Sequence, residues 1–280
     1  MFPIQFNHSI DLQEPVVIPP PRSPLDFKNK VIIITGANSG IGAATAMEFA
    51  KWGGLLTVVG HNKASLREVA DKVIDVHEHS PLIVHADMTK QEEVRHIVDK
   101  TMATYGRIDV LVNNASVVEI GNIETTTMDQ YDRVMDINIR AVFQLTSLAV
   151  PHLIDTKGCI VNVSSISGIR SFPGILAYNI SKAALDQFTR CIALELRPKG
   201  VRCNSVNPSV IIKDVQKSDS MDDEVYEAIL EQSKITHASG RAGLEEEVAG
   251  VIAFLASNMA SFITGATLPV DDGHHAMCAR

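Results

Sequence analysis

Cysteine is scarce. The four residues, Cys159, Cys191, Cys203 and Cys278, lie far apart and form no C-x-x-C pair. That scatter excludes a dense disulfide framework and predicts a reducing compartment, the cytoplasm. Cys159, Cys191 and Cys203 stand among apolar neighbours and are expected in the core. Long apolar runs are missing too: nothing approaches about 18 consecutive apolar residues, so no membrane span is expected. The N-terminus, MFPIQFNHSIDLQEP, has neither the basic nor the apolar region of a secretory signal. The C-terminus, HHAMCAR, carries no recognised address. Positive charge is short, with 25 Lys and Arg against 33 Asp and Glu, a formal net charge of −8 and a pI near 5.7. That balance argues against nucleic acid or an acidic membrane as a partner. His61, His77, His79, His85 and the His274–His275 pair fall into no metal-ligand spacing with Asp, Glu or Cys. They are assigned to surface and loops, and no metal is expected. Neither a solenoid repeat nor a second domain is visible.

What is present is an ordinary globular balance, 45% hydrophobic and 21% charged over 280 residues. Residues 1–27, which include VVIPPPRSP, favour extended polyproline geometry and read as an arm, disordered or laid on a partner subunit. The fold proper is expected over 28–280. It begins with KVIIITGANSGIGAATAMEFAKWG, a strand, a glycine loop and a helix. VIIIT is a β-branched run without alternation, as in a strand covered on both faces. Gly36, Gly40 and Gly42 then permit a tight turn, close backbone approach to a pyrophosphate and tight helix–strand packing, with the free N–H groups of the helix N-terminus facing the phosphates.

Strands and helices alternate thereafter. LLTVVG, LIVHAD, IDVLVNNA, CIVNVSS, VRCNSVNP and ATLPV read as strands. The segments near 64–77, 91–106, 128–154, 177–197 and 245–258 read as helices. The fold class is therefore α/β: a Rossmann-like, doubly wound, mostly parallel sheet with helices on both faces, in a single domain. Ligands of such sheets bind at the carboxyl ends of the strands. Gly36, Gly60, Asp87, Asn113, Ser165 and Pro208 all fall there. The charged stretch 210–239, with a short amphipathic helix near 223–232, reads as a substrate lid or a plain surface helix.

Between 165 and 182 stand a serine, a tyrosine thirteen residues later and a lysine four beyond it. Residues four apart share a helix face, so Tyr178 and Lys182 lie one above the other. A nearby ammonium lowers a phenol's pKa from about 10 and makes it a proton donor or acceptor near neutrality. Taken alone, Tyr-x-x-x-Lys is a pattern common by chance.

Set in order along the chain, these residues resemble the short-chain dehydrogenase/reductase family, in its compact one-domain form, over roughly residues 27–273. TGANSGIG (35–42) resembles its cofactor loop, and HADMT carries Asp87 where the family places an aspartate near the adenine. NNA (113–115) resembles the segment behind the adenine ribose, Asn138 in MDINIRAVF matches an asparagine that holds a proton-relay water, and VDDG (270–273) resembles a C-terminal VDGG. The sequence departs from the pattern at Ser116, Ser209 and Asp272, where glycines are usual, and at Lys213, where threonine is frequent.

The resemblance implies reversible hydride transfer between a nicotinamide cofactor and a carbonyl or secondary alcohol, with Asn138, Ser165, Tyr178 and Lys182 catalytic. Plainer readings remain for Asn138 as a locally bonded helix residue and for Ser165 as a turn cap. The implied cofactor contacts are Gly36, Asn38, Ser39, Gly40, Ile41, Gly42, His61, Asn62, Asp87, Met88, Asn114, Ala115, Tyr178, Lys182, Pro208 and Ile211. NADP is expected over NAD, because Gly60 stands where NAD-dependent members carry an acid, and His61, Asn62 and Lys63 follow as donors. Val117, Val118, Ile169, Phe172, Ile175 and Leu176 suggest a lipophilic substrate such as a steroid, a retinoid or an acyl thioester. They are equally consistent with packing. The resemblance also implies a homo-oligomer, a tetramer built through the helices at 128–154 and 177–197. Two rivals are a dinucleotide-binding regulatory protein without turnover and a sugar-nucleotide epimerase. The epimerase is disfavoured by the glycine spacing and by the missing second domain.

Overall fold

The computed structural model describes residues 25–77, 79–212 and 223–277. Most of the expected arm, Lys213 and Cys278 lie outside the described residues. Val31–Thr35 (β1) is buried at every position, as its unbroken β-branched run requires. It leads through the glycine loop into Gly40–Lys51 (α1). Leu55–Gly60 (β2), Lys63–Val76 (α2), Leu82–His85 (β3), Gln91–Tyr105 (α3) and Val110–Asn113 (β4) complete the first half. The second half runs through Met128–Met135 (α4), Ala141–Thr156 (α5), Cys159–Val163 (β5), Leu176–Leu196 (α6) and Arg202–Pro208 (β6). It closes with Asp223–Thr236 (α7), Glu245–Ala256 (α8) and Thr267–Val270 (β7).

All pairings are parallel, and the sheet order is β3-β2-β1-β4-β5-β6-β7. Strand order reverses between β1 and β4, so the crevice for a ligand opens at their carboxyl ends. Helices α1, α2 and α8 cover one face through Phe49, Leu66, Val73, Val248 and Ile252. Helices α3, α5 and α6 cover the other through Ile97, Leu145, Leu153 and Ala193.

Three sequence expectations change here. The helix read over 128–154 is interrupted by a π-helical turn, Asp136–Arg140, that joins α4 to α5. The run Met128–Thr156 is, by length and composition, apolar enough to cross a membrane. Leu145, Ala149 and Leu153 are nevertheless fully buried against the sheet, and the run reads as a core helix. Cys191 is exposed on α6, unlike the buried Cys159 and Cys203. Phe27, the last residue assigned to the arm, is 2% exposed and packs edge-on against Phe49 at 4.6 Å between ring centroids. The expected lid, 210–239, falls partly on 213–222, outside the described residues; its helix is α7.

At the opposite edge of the sheet, Asp109 is 3% exposed and clasps the strand entrances. It accepts from Lys30 Nζ at 3.0 Å, Arg107 Nε at 2.8 Å and the Val31 N–H at 3.0 Å. Burial opposes its ionisation, but these donors outweigh it and hold the carboxyl below its ordinary value. A lowered carboxyl contributes stability that is complete above its unfolded pKa, about 4, and is lost as pH falls through the folded value. Asp109→Ala should therefore lower the unfolding free energy at pH 7 by about 2–3 kcal/mol, read from the urea midpoint. The gap between wild type and variant should narrow in acid; equal midpoints at pH 7 would contradict the clasp.

Candidate active site

The crevice is held open by a stitch between β1 and β4. Thr35 Oγ1 accepts the N–H groups of Asn114 at 2.9 Å and Ala115 at 3.0 Å. Asn114 Nδ2 returns hydrogen bonds to the carbonyls of Thr35 at 2.9 Å and Gly36 at 3.1 Å. Gly36 turns at φ +63°, where a side chain is strained, and a Cβ there would lie 2.8 Å from Asn114 Nδ2. A Cβ on Gly42 would fall 2.2 Å from the Gly36 carbonyl oxygen, so the loop and the first turn of α1 pack backbone to backbone. Ser39 caps α1 without a side-chain hydrogen bond, and no acid stands in the first turn. A helix N-terminus of this kind suits an anion, and the Glu245 carboxylate of α8 stands beside it in the cleft.

A cleft of about 680 Å³ runs from this loop to Tyr178. Its walls include every expected cofactor residue except Gly42 and Asn62. Gly42 serves the packing just described. Asn62 caps α2, with Oδ1 accepting from the N–H groups of Ala64 at 3.0 Å and Ser65 at 3.1 Å. Asp87 Oδ1 accepts from the Thr89 N–H at 2.9 Å and its hydroxyl at 2.8 Å, which keeps the carboxyl below its ordinary value. Gly60 also lines the cleft, and Asn38 fills the space beside it: a Cβ at position 60 would lie 2.5 Å from Asn38 Oδ1.

At the far end, β5 delivers Ser165 and α6 delivers Tyr178 and Lys182. Ser165 Oγ accepts from the Ser167 N–H at 3.1 Å, capping the next turn, and donates to the Pro208 carbonyl at 3.4 Å. The plain cap and the site residue are thus the same side chain. Burial pushes the Tyr178 phenol above its ordinary value, and hydrogen bonds with the Ser165 and Ser116 hydroxyls only partly offset this. Lys182 is 2% exposed, and its ammonium donates to the Val163 carbonyl at 2.9 Å, 5.4 Å from the Tyr178 ring centroid. The lowered phenol expected from the Tyr–Lys spacing is accordingly not found. The lysine is turned to the β5 backbone, and desolvation governs the tyrosine. Burial likewise lowers the lysine itself to about 8, partly countered by the charge of Asp186.

Asn138 lies in the π-helical turn, 1% exposed. Its Oδ1 accepts the Val117 N–H at 2.9 Å, and Nδ2 donates to the Val117 carbonyl at 2.9 Å and Ser181 Oγ at 3.0 Å. Both amide protons are therefore engaged in tying the loop after β4 to α6. The side chain does not line the cleft.

Of the suggested apolar wall, Val117 and Val118 border the cleft; Ile169, Phe172, Ile175 and Leu176 do not. Sequence reasoning missed Thr35, whose hydroxyl sets the stitch, and treated Ser116 only as a departure. It also missed the histidine contacts at the chain's end. Ser209 Oγ meets His274 Nδ1 at 2.8 Å, His275 Nδ1 meets Asp271 Oδ2 at 2.9 Å, and the buried His237 stacks near His274 at 4.9 Å. His274 and His275 both lie in a turn as assigned, and His275 is exposed; His274 is half-buried by these contacts. Among the described residues, no group of His, Cys, Asp and Glu forms a metal site.

The sequence model of a family described as enoyl-(acyl carrier protein) reductase matches residues 36–275. A meso-2,3-butanediol dehydrogenase of Serratia marcescens is 38% identical over 247 residues, covering 88% of this chain and 95% of that protein. A 3-oxoacyl-(acyl-carrier-protein) reductase of Thermotoga maritima is 35% identical over 251 residues, covering 88% of this chain and 98% of its own length. Among solved structures, a 3-ketoacyl-(acyl-carrier-protein) reductase from Brucella melitensis complexed with NADH superposes with a TM-score of 0.80. It is 30% identical and covers 89% of this chain and 100% of its own.

The buried ammonium has a thermodynamic signature. A lysine whose folded pKa is about 8 destabilises the fold while it is charged, and that cost is relieved as pH rises from 8 towards the unfolded value of 10.5. Lys182→Met should raise stability at pH 7 by about 1–2 kcal/mol, after allowance for the lost bond to Val163. The gain should fade by about pH 10. A variant less stable than wild type at pH 7 would show that the charge is better compensated than this.

Proposed function

The chain belongs to the short-chain dehydrogenase/reductase family, and on that premise we propose that Tyr178, Lys182 and Ser165 carry its hydride-transfer chemistry. It is an NAD(P)-dependent oxidoreductase. The observation that carries the residue assignment is the meeting of those three side chains at one end of a cleft whose other end is the glycine loop.

The residues present fit a dinucleotide: an uncapped helix N-terminus for the pyrophosphate, Asp87 and Met88 beside β3, and Asn114 and Ala115 behind β4. When bound, the nicotinamide supplies or accepts the hydride. In reduction, Tyr178 gives its proton to the carbonyl oxygen, and a phenol held high by burial stays protonated until that oxygen becomes basic. Ser165 donates a hydrogen bond to the same oxygen as negative charge develops. Loss of such a donor from comparable sites lowers turnover about 100-fold. The Lys182 ammonium stabilises the phenolate left behind. Asn138 acts by holding the Val117 loop against α6, so that the wall over the substrate keeps its place.

NADP(H) is the proposed cofactor. No carboxylate stands at the end of β2, the Asn38 side chain lies against Gly60, and His61 is exposed beside it. The substrate is proposed to be a lipophilic ketone or secondary alcohol. Val117, Val118 and Ile137 border the cleft, and the nearby Ile120 and Ile123 are 78% and 84% exposed. A homo-oligomer assembled through α5 and α6 would cover Phe143 and Leu194, 61% and 77% exposed. The free thiols of Cys159, Cys191 and Cys203 suit the cytoplasm.

Tyr178→Phe should lower kcat at least about 100-fold across a panel of ketones and alcohols, with NAD(P)H binding by fluorescence nearly unchanged. Retention of more than about a tenth of wild-type kcat would refute the role of Tyr178. A wild type that binds the dinucleotide but turns over nothing would favour a regulatory protein. For the cofactor, kcat/KM with NADPH should exceed that with NADH. A tenfold preference for NADH, about 1.4 kcal/mol, would show that the missing carboxylate was misread.

A further inference from the structure

A buried charge beside the site has no part in the chemistry so far. Asp186 lies one helical turn beyond Lys182 on α6 and is 1% exposed. All its hydrogen-bond donors are neutral. Asn207 Nδ2 donates to Oδ2 at 2.8 Å, Ser205 Oγ donates to Oδ1 at 3.1 Å, and the Ser164 hydroxyl also contributes. The same Asn207 amide donates to the Ser165 main-chain carbonyl at 2.7 Å. One side-chain amide thus couples the carboxylate to the backbone of the serine. Gly168 leaves the room this requires, since a Cβ there would lie 2.3 Å from Asp186 Oδ2.

We propose that Asp186 is a positioning residue of the reaction: through Asn207 it fixes the Ser165 backbone, and it sets its carboxylate one helical turn from the Lys182 amine. The proposal rests on the reading of Ser165, Tyr178 and Lys182 as the active site. A buried carboxylate with only neutral donors is a costly arrangement for structure alone. Here it stands one helical turn from a buried amine, and its charge works against the desolvation that lowers Lys182. Tyr178 and Arg190, both on α6, are the ionisable groups next to this pair among the described residues. β5, β6 and the turn after Ser165 present serines, an asparagine and a glycine.

The two functions separate experimentally. In carbonyl reduction, wild-type kcat/KM should fall with an apparent pKa near 8 as Lys182 loses its proton. Asp186→Asn keeps the shape and removes the charge; its alkaline limb should move at least about half a pH unit to lower pH. Asn207→Ser keeps the charge and cuts the link to Ser165. It should lower kcat about tenfold or more with the limb unmoved, since small misplacements of a reacting group are costly. Folding is checked by circular dichroism and melting. A Tyr178-dependent enzyme whose limb is the same in Asp186→Asn, or whose kcat in Asn207→Ser stays within about twofold, overturns the proposal. If Asp186→Asn does not fold, the Asn207→Ser result decides it on the same criterion. A wild-type enzyme indifferent to Tyr178→Phe would instead overturn the active-site reading itself.

Discussion

A primary ammonium enclosed in protein is the constraint on which the far half of this molecule depends. Lys182 is 2% exposed and sits between α6 and the end of β5. A charge so placed must be met by dipoles and counter-charge, or it gives up its proton. The Val163 carbonyl supplies the dipole, and Asp186 supplies the counter-charge at a distance. Asp186 in turn needs Ser164, just past β5, and Ser205 and Asn207 of β6, so polar side chains are buried beside the helix. Ser205 and Asn207 of β6 are thereby explained: they answer the carboxylate that answers the amine.

The sheet divides its labour between its two edges. At the amino edge, Asp109 is surrounded by Lys30, Arg107 and a backbone N–H, opposite charges in direct contact, and its carboxyl is held low. At the carboxyl edge, Tyr178 is held high by burial and Lys182 is held low, each pushed towards its neutral form. The first arrangement lowers the energy of the fold. The second raises it: the proton affinity of Lys182 is brought closer to neutrality, and the Tyr178 phenol is kept protonated. Stability and reactivity are thus kept about one strand length apart.

How much of this was legible in sequence follows from how far each residue's partner lies along the chain. The strands and helices were legible because period and composition are local signals, and the βα alternation left little choice of topology. The cleft was legible for Gly36, Ser39, Asp87, Asn114 and Tyr178, because strand ends converge in any sheet of this kind. The cap made by Asn62 was not legible, because an asparagine two residues from a cofactor turn and one capping the next helix look the same in sequence. The π-helical turn was hidden because its sequence is as helical as its flanks. The expected effect of Lys182 on Tyr178 failed for another reason: helix spacing places both residues on one face but does not fix where a four-carbon chain points. Asp186 read as one more helix residue, since its partners Ser205 and Asn207 come about twenty positions later.

The contact between Asn38 and position 60 bears on variation as much as on binding. With Asn38 Oδ1 2.5 Å from where a Cβ at position 60 would sit, the two positions belong to one steric unit although they lie on different βα connections. A side chain entering at 60 has to displace the amide tip of Asn38, which can turn away about its own χ angles. What position 60 can hold therefore depends on the rotamer adopted at 38, so the two positions accept or refuse a change together.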